Sequence, residues 1–271
     1  MPGPVSRGRF VWYDLMTPDP DAATEFYTKV AGWGTTPWDG GNAEDGNNPP
    51  YMMWTAGEKP IGGNMKLPEE AQARGAPPHW LAYVAVPDAE AVVERTKELG
   101  GSVLKPATAI EGVGTFAVLQ DPQGAVFAPY TPEGGAEGEI EAPGLGEFSW
   151  HELATTDFEG ALSFYGEVFG WKKTELFDMG EMGIYQMFGP ESEEEVSFGG
   201  MFNKPPEMAY PSHWLYYITV SDIDAGVGRV KELGGQILNG PMEVPDGDMV
   251  AQCMDPQGSA FALHAKKATQ E

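Results

Sequence analysis

FYTKVAGW, running from Phe26 to Trp33, returns as FYGEVFGW from Phe164 to Trp171. The two octapeptides are offset by 164 − 26 = 138 residues. Three further pairs follow in the same order: HWL at His79 and His213, KELGG at Lys97 and Lys231, and DPQG at Asp121 and Asp255. Each is offset by 134 (213 − 79, 231 − 97, 255 − 121), so the change of four residues falls between Trp33 and His79. Ordered self-similarity of this kind is the mark of a tandem duplication, here of a domain of roughly 130 residues. The expected organisation is a first domain over 6–132, a linker over 133–145 and a second domain over 146–266. The linker lies within TPEGGAEGEIEAPGLG (Thr131 to Gly146), which is rich in Gly, Pro and Glu and has no apolar periodicity.

Each domain divides again. Asp19 is followed by Gly32, Asp88 by Gly101, Asp157 by Gly170 and Asp222 by Gly235, always thirteen residues on. Between them apolar residues recur at three- and four-residue steps, as Ala23, Phe26, Tyr27 and Val30 do, which is the pattern of one helix face. Asp is a strong N-cap because its carboxylate accepts a free amide of the first turn, and Gly ends a helix in the left-handed conformation. A strand pattern precedes each helix (LAYVAV from Leu81, LYYITV from Leu215) and short runs broken by Gly and Pro follow it. The unit is strand, helix, then about three strands. The expected fold class is α+β: a tandem duplication of a domain made of paired βαβββ modules, forming a curved mixed sheet with helices outside.

Over 271 residues, 41 acids against 16 bases give a formal charge of −25. A surface this negative repels phosphate backbones and anionic headgroups, so no nucleic-acid or membrane partner is expected. A single cysteine, Cys253, excludes an internal disulfide framework and fits a reducing compartment. The first thirty residues hold four acids and no apolar core, and no apolar run reaches spanning length. A cytoplasmic protein is expected, either a monomer with internally paired domains or a homodimer. Glu191 to Glu195 and Asp39 to Pro50 read as solvated loops, the second long enough to fold over a site.

A paired βαβββ unit bearing FY-x-x-V-x-GW after a capping Asp resembles the vicinal oxygen chelate superfamily, which includes glyoxalases, bleomycin-binding proteins, epimerases and extradiol dioxygenases. DPQGAVFAPY from Asp121 and DPQGSAFALH from Asp255 match its last strand. The resemblance covers nearly the whole chain, twice, and implies a concave sheet enclosing a cup. In metal-dependent relatives a His or Gln seven residues before the capping Asp, and a Glu four after the Gly of DP-x-G, hold a divalent ion. Here those positions are Trp12, Leu81, Trp150 and Leu215, then Ala128 and Ala262. The remaining ligand strand, around GGNM (Gly62 to Met65) and GGMF (Gly199 to Phe202), offers neither acid nor His. Trp, Leu and Ala carry no suitable donor, so the usual metal site is expected to be missing from both domains.

Strand alternation then gives the expected lining of the cup. Trp12 and Asp14 share one face, as do Trp150 and Glu152; His79, Leu81 and Tyr83 share one, as do His213, Leu215 and Tyr217. Trp80, Val84, Val86, Trp214, Ile218 and Val220 then pack under the helices. The candidate ligand-binding residues are therefore Trp12, Asp14, His79, Tyr83, Trp150, Glu152, His213 and Tyr217. The leading expectation is a glyoxalase- or bleomycin-resistance-like protein that binds a small aromatic or cationic molecule in an aromatic cup, by stacking, cation–π and ion-pair contacts, with no cofactor. The alternative is a metal-dependent lyase, isomerase or hydrolase with a displaced divalent-metal site at Asp14, His79, Glu152 and His213. A third is a non-catalytic interaction protein. His151 reads as a buried, hydrogen-bonded histidine, Cys253 as a packing residue, and His264 as a weaker cup candidate because Tyr130 replaces it in the first domain. No G-x-S-x-G nucleophile elbow occurs.

Overall fold

The computed structural model describes residues 7–38, 51–135, 141–191 and 196–267. The Asp39–Pro50 loop, residues 192–195 of the acidic run and residues 136–140 of the linker lie outside the described residues. The first module is strand β1 (Phe10–Thr17), helix α1 (Pro20–Val30) and strands β2 (Gly34–Pro37), β3 (Met52–Ala56) and β4 (Lys59–Lys66). A one-turn helix α2 (Glu69–Ala73), which the sequence pattern did not reveal, leads to the second module. That module comprises β5 (His79–Ala85), α3 (Ala89–Glu98), β6 (Ser102–Ile110), β7 (Gly114–Gln120) and β8 (Val126–Pro132). The second repeat follows the same plan. Its modules are β9 (Phe148–Thr155), α4 (Phe158–Phe169), β10 (Trp171–Asp178), β11 (Ile184–Pro190) and β12 (Gly199–Asn203), then β13 (His213–Thr219), α5 (Ile223–Glu232), β14 (Gln236–Glu243), β15 (Met249–Met254) and β16 (Ala260–Ala265).

The capping logic holds at all four long helices. Asp19, Asp88, Asp157 and Asp222 each accept the amide three residues on at 3.0 Å, from Ala22, Ala91, Gly160 and Ala225. The helix ends differ from expectation in two cases. Gly32 and Gly170 are left-handed, but after α3 and α5 the left-handed residues are Gly100 and Gly234, the first of each glycine pair. The second, Gly101 and Gly235, is needed for a different reason: a β-carbon there would press on the backbone oxygens of Gln120 and Met254.

The strands form two eight-stranded mixed sheets, ordered β2-β3-β4-β1-β5-β8-β7-β6 and β10-β11-β12-β9-β13-β16-β15-β14. Parallel pairing joins β1 to β4, β5 to β8, β12 to β9 and β13 to β16; the outer ladders are antiparallel. Packing divides the chain into two compact units, and each draws on both repeats. One comprises Met1–Val11, Ala82–Glu141 and Trp150–Leu215, the other Trp12–Leu81, Ala142–Ser149 and Tyr216–Glu271. Helices α3 and α4 pack together in the first, α1 and α5 in the second.

The repeated octapeptide is the clamp of each unit. In the first unit the buried Tyr165 donates to Asp121 Oδ2 (2.9 Å) and accepts from Trp214 Nε1 (3.2 Å), while Trp171 Nε1 donates to the Gly8 carbonyl (2.7 Å). In the second, Tyr27 donates to Asp255 Oδ2 (3.1 Å) and accepts from Trp80 Nε1 (3.0 Å), and Trp33 Nε1 donates to the Gly146 carbonyl (2.7 Å). The tyrosine–aspartate and tryptophan–glycine ties run from one repeat to the other, so FY-x-x-V-x-GW and DPQG are two ends of one interaction. The aspartate also closes its own turn, Asp121 Oδ1 accepting the amides of Gln123 and Ala125. Around these ties Leu153, Phe164, Val168, Phe169, Phe188 and Met201 fill the core of the first unit.

Candidate functional site

In the second unit β1 sends Trp12 and Asp14 to one face of the sheet, two residues apart. Trp12 Nε1 donates to Asp14 Oδ1 at 3.0 Å and to Tyr51 Oη at 2.7 Å, and the Tyr51 hydroxyl donates to the same Asp14 oxygen at 2.6 Å. Asp14 is only 5% exposed, so these bonds offset part of the desolvation of a buried carboxylate. Register explains how the tyrosine arrives. Asp14 lies opposite Gly63 on β4, and a β-carbon at Gly63 would overlap the Tyr51 ring. The second glycine of the GGN pair is thus the gap through which the phenol reaches the acid.

The first unit holds the counterpart. Trp150 Nε1 donates to Tyr185 Oη at 2.8 Å, and that hydroxyl donates to Glu152 Oε2 at 3.1 Å. Glu152 lies opposite Gly200 on β12, and the Tyr185 ring covers Gly200 while stacking on Phe202 at 6.1 Å. Sequence reasoning found the tryptophans and acids of both clusters but neither tyrosine. The available signal was the repeat offset, 185 − 51 = 134, the same as for the HWL pair. We expect Gly63→Ala to leave the fold intact at a cost of about 1–3 kcal/mol, because the end of a side chain can swing aside but a bond to a buried acid is lost. It should nevertheless break the Tyr51–Asp14 bond, a change visible as altered tryptophan emission from Trp12.

The two strand-starting histidines are held locally. His79 Nδ1 bonds the Pro77 carbonyl at 2.7 Å and His213 Nδ1 the Pro211 carbonyl at 2.9 Å. A carbonyl only accepts, so the proton sits on Nδ1 in both rings, and Nε2 carries the lone pair of the neutral form. Burial pushes the His79 pKa below its ordinary value, against the pull of the Pro77 carbonyl. Tyr83 lies in the first unit, edge-on to Phe116 (5.7 Å) and Tyr130 (6.3 Å). Tyr217 lies in the second, its hydroxyl accepting from Gln252 Nε2 at 3.3 Å. His264 lies on β16, bonded at both ring nitrogens. His151 is buried against Phe10, the rings stacked at 3.6 Å, with Nδ1 on the Phe198 carbonyl at 2.6 Å. Cys253 is buried, and burial pushes its thiol up to about 12, which removes it as a nucleophile at neutral pH.

The positions matched to metal ligands hold Trp12, Trp150, Leu81, Leu215, Ala128 and Ala262, none of which offers a suitable donor. Beside the carboxylates, on β4 and β12, stand Gly63 and Gly200 with phenol rings over them. Among the described residues no three side chains of His, Cys, Asp or Glu are grouped so as to hold an ion. The described residues at these positions do not fit the divalent centre that the resemblance implies for metal-dependent relatives.

Residues 147–263 match the family model described as "Glyoxalase/Bleomycin resistance protein/Dioxygenase superfamily", and residues 11–128 that of a "Glyoxalase-like domain". The chain belongs to this superfamily. It is 32% identical over 252 residues to the "Putative glyoxylase CFP32" of Mycobacterium tuberculosis, covering 93% of this chain and 92% of that protein. It is also 32% identical over 269 residues to the "Anthracycline biosynthesis protein DauV" of Streptomyces sp. strain C5, covering 94% and 92%. Among solved structures, the 2,3-dioxygenase LapB of Pseudomonas sp. KL28 superposes with a TM-score of 0.62 at 13% identity, covering 100% of this chain and 96% of that one. The Mn(II)-bound glyoxalase of Novosphingobium aromaticivorans gives 0.57 at 16%, covering 97% and 82%. At those identities the likeness concerns the fold. No helix of the described residues is long and apolar enough to cross a membrane.

Proposed function

We propose that the chain is a metal-independent binding protein for a flat aromatic or cationic small molecule. The observation that carries this reading is the Trp12–Tyr51–Asp14 network with its counterpart Trp150–Tyr185–Glu152. In each, an indole N–H and a phenol fix a carboxylate among aromatic side chains. Fixed rings offer π faces for stacking, and the carboxylate between them offers acceptor oxygens to a ligand ammonium. His79, Tyr83, His213 and Tyr217 complete the proposed contacts. One relative is named for anthracycline biosynthesis, which supports an aromatic ligand.

Quenching of tryptophan fluorescence by a planar polycyclic aromatic amine, titrated with and without EDTA, tests the reading. The expected result is saturable quenching that EDTA leaves unchanged. Asp14→Asn combined with Glu152→Gln should weaken it at least tenfold, equivalent to about 1.4 kcal/mol. Binding that requires added metal, or survives the double substitution at full affinity, would overturn the proposal. One observation supports a second reading, the displaced metal site of a lyase, isomerase or hydrolase at Asp14/His79 and Glu152/His213. A histidine whose Nδ1–H is held by a carbonyl presents Nε2 as metal-ligating histidines do. Near-stoichiometric zinc, manganese, iron or nickel in protein purified without chelator, and lost in His79→Ala/His213→Ala, would decide for it.

A further inference from the structure

A second polar constellation lies in the second unit, on residues that the binding reading does not use. Ser149 Oγ is 2.8 Å from His264 Nδ1, and His264 Nε2 is 2.8 Å from Asp248 Oδ2. The other carboxylate oxygen, Asp248 Oδ1, accepts the Lys267 amide at 2.8 Å, which fixes the acid. Ser149 Oγ also approaches the Tyr217 carbonyl at 3.4 Å. The imidazole and carboxylate side chains retain 15% and 26% of their exposure, so the relay is sheltered without being sealed. Burial raises the Asp248 pKa, but the Lys267 amide and His264 outweigh it, leaving the group below the ordinary carboxylate range and ionised.

The duplication supplies a control. The counterparts in the first repeat are Val11 (149 − 138), Tyr130 (264 − 134) and Gly114 (248 − 134). There the Tyr130 hydroxyl donates to the Val113 carbonyl at 2.7 Å, and β7 and β8 pair without any acid, imidazole or serine. The fold builds this corner of the sheet without the relay, so packing does not explain why all three residues differ together in the second repeat.

We propose that Ser149, His264 and Asp248 form an ester-hydrolysing centre. It would act on small carboxylic esters of aromatic alcohols, whose phenolate leaving groups depart with the least assistance. Nucleophile and base are in hydrogen-bond contact, and the base is oriented by a third group. With the proton of the neutral ring on Nε2 facing Asp248, Nδ1 takes the Ser149 hydroxyl proton as Oγ bonds to the ester carbonyl carbon. The imidazolium, steadied by Asp248, returns that proton to the departing aryl oxygen as its bond to the carbonyl breaks, leaving an acyl-serine and a phenol. Water then attacks the acyl-serine, giving its proton to Nδ1 and on to Ser149 Oγ as the carboxylic acid leaves. The net change is ester plus water to acid plus phenol.

The whole chain is incubated with 4-nitrophenyl acetate and, separately, with an alkyl fluorophosphonate, and modified peptides are mapped by mass spectrometry. The expected results are a phosphonyl adduct on Ser149 and nitrophenol release that falls about 10³-fold in kcat/KM in Ser149→Ala. His264→Gln, which keeps an amide to bond Asp248, should lose the activity while retaining the melting temperature. Labelling only elsewhere, no labelling, or hydrolysis unchanged in Ser149→Ala would overturn the proposal. The peptide map uses the native chain, so a variant that fails to fold does not blunt the test. Fluorescence titration of the Ser149→Ala protein keeps the outcome separate from that of the binding reading.

Discussion

Replacing Trp171 by alanine is expected to cost about 3–5 kcal/mol of stability, the range for truncating a buried tryptophan. The indole is 4% exposed and packs on Phe188 at 4.5 Å, Phe169 at 4.9 Å, Phe10 at 5.2 Å and Tyr165 at 5.4 Å. Its Nε1–H is the partner of the Gly8 carbonyl, whose loss leaves an acceptor to be resatisfied. Trp171→Phe separates the two parts, keeping most of the ring contact while removing the donor, and should cost about 1–3 kcal/mol. Trp33 holds the matching place in the second unit through Gly146, so Trp33→Ala should be about as damaging. Urea unfolding followed by circular dichroism measures both. A Trp171→Ala protein within 1 kcal/mol of the native chain would mean that the octapeptide is not the clamp described.

The same octapeptide shows what was legible. Its recurrence with HWL and DPQG revealed the duplication, and the Asp caps with apolar stripes revealed four βαβββ modules, because period and capping are local properties of the chain. Which modules pack together was not legible. Tyr165 meets Asp121 and Tyr27 meets Asp255, contacts between residues 44 and 228 apart that no periodicity records. The site divides likewise. Trp12 with Asp14, and Trp150 with Glu152, follow from strand alternation within one strand. Tyr51, just ahead of β3, and Tyr185 on β11 arrive across a glycine, and only the register Asp14 opposite Gly63 and Glu152 opposite Gly200 makes them partners. Ser149 escaped notice because a serine outside a nucleophile elbow carries no local signature; its meaning comes from His264 on a strand 115 residues away.

Acid should weaken the fold through His151. The ring is buried against Phe10, and burial, only partly opposed by the Phe198 carbonyl, lowers its pKa from 6.5 to about 3. In the unfolded chain the same imidazole takes up a proton near 6.5. Between the two values the unfolded state binds more protons than the folded one, so stability falls as pH drops, by about 1.4 kcal/mol per pH unit. The contribution is flat above about pH 6.5, amounts to a loss of about 2 kcal/mol by pH 5 and is complete below about pH 3. Burial also shifts Asp121 and Asp255, but upward, and a carboxyl with a raised pKa acts in the opposite sense, so the total slope alone does not isolate the histidine. His151→Phe does: it keeps an aromatic ring against Phe10, removes the titrating group and sacrifices the bond to Phe198 equally at every pH. Unfolding free energies measured from pH 8 to pH 4.5 should therefore show the native chain losing about 3 kcal/mol more than the variant. Parallel curves for the two proteins would mean that His151 is protonated in the folded state, and that its place against Phe10 is wetter than the packing implies.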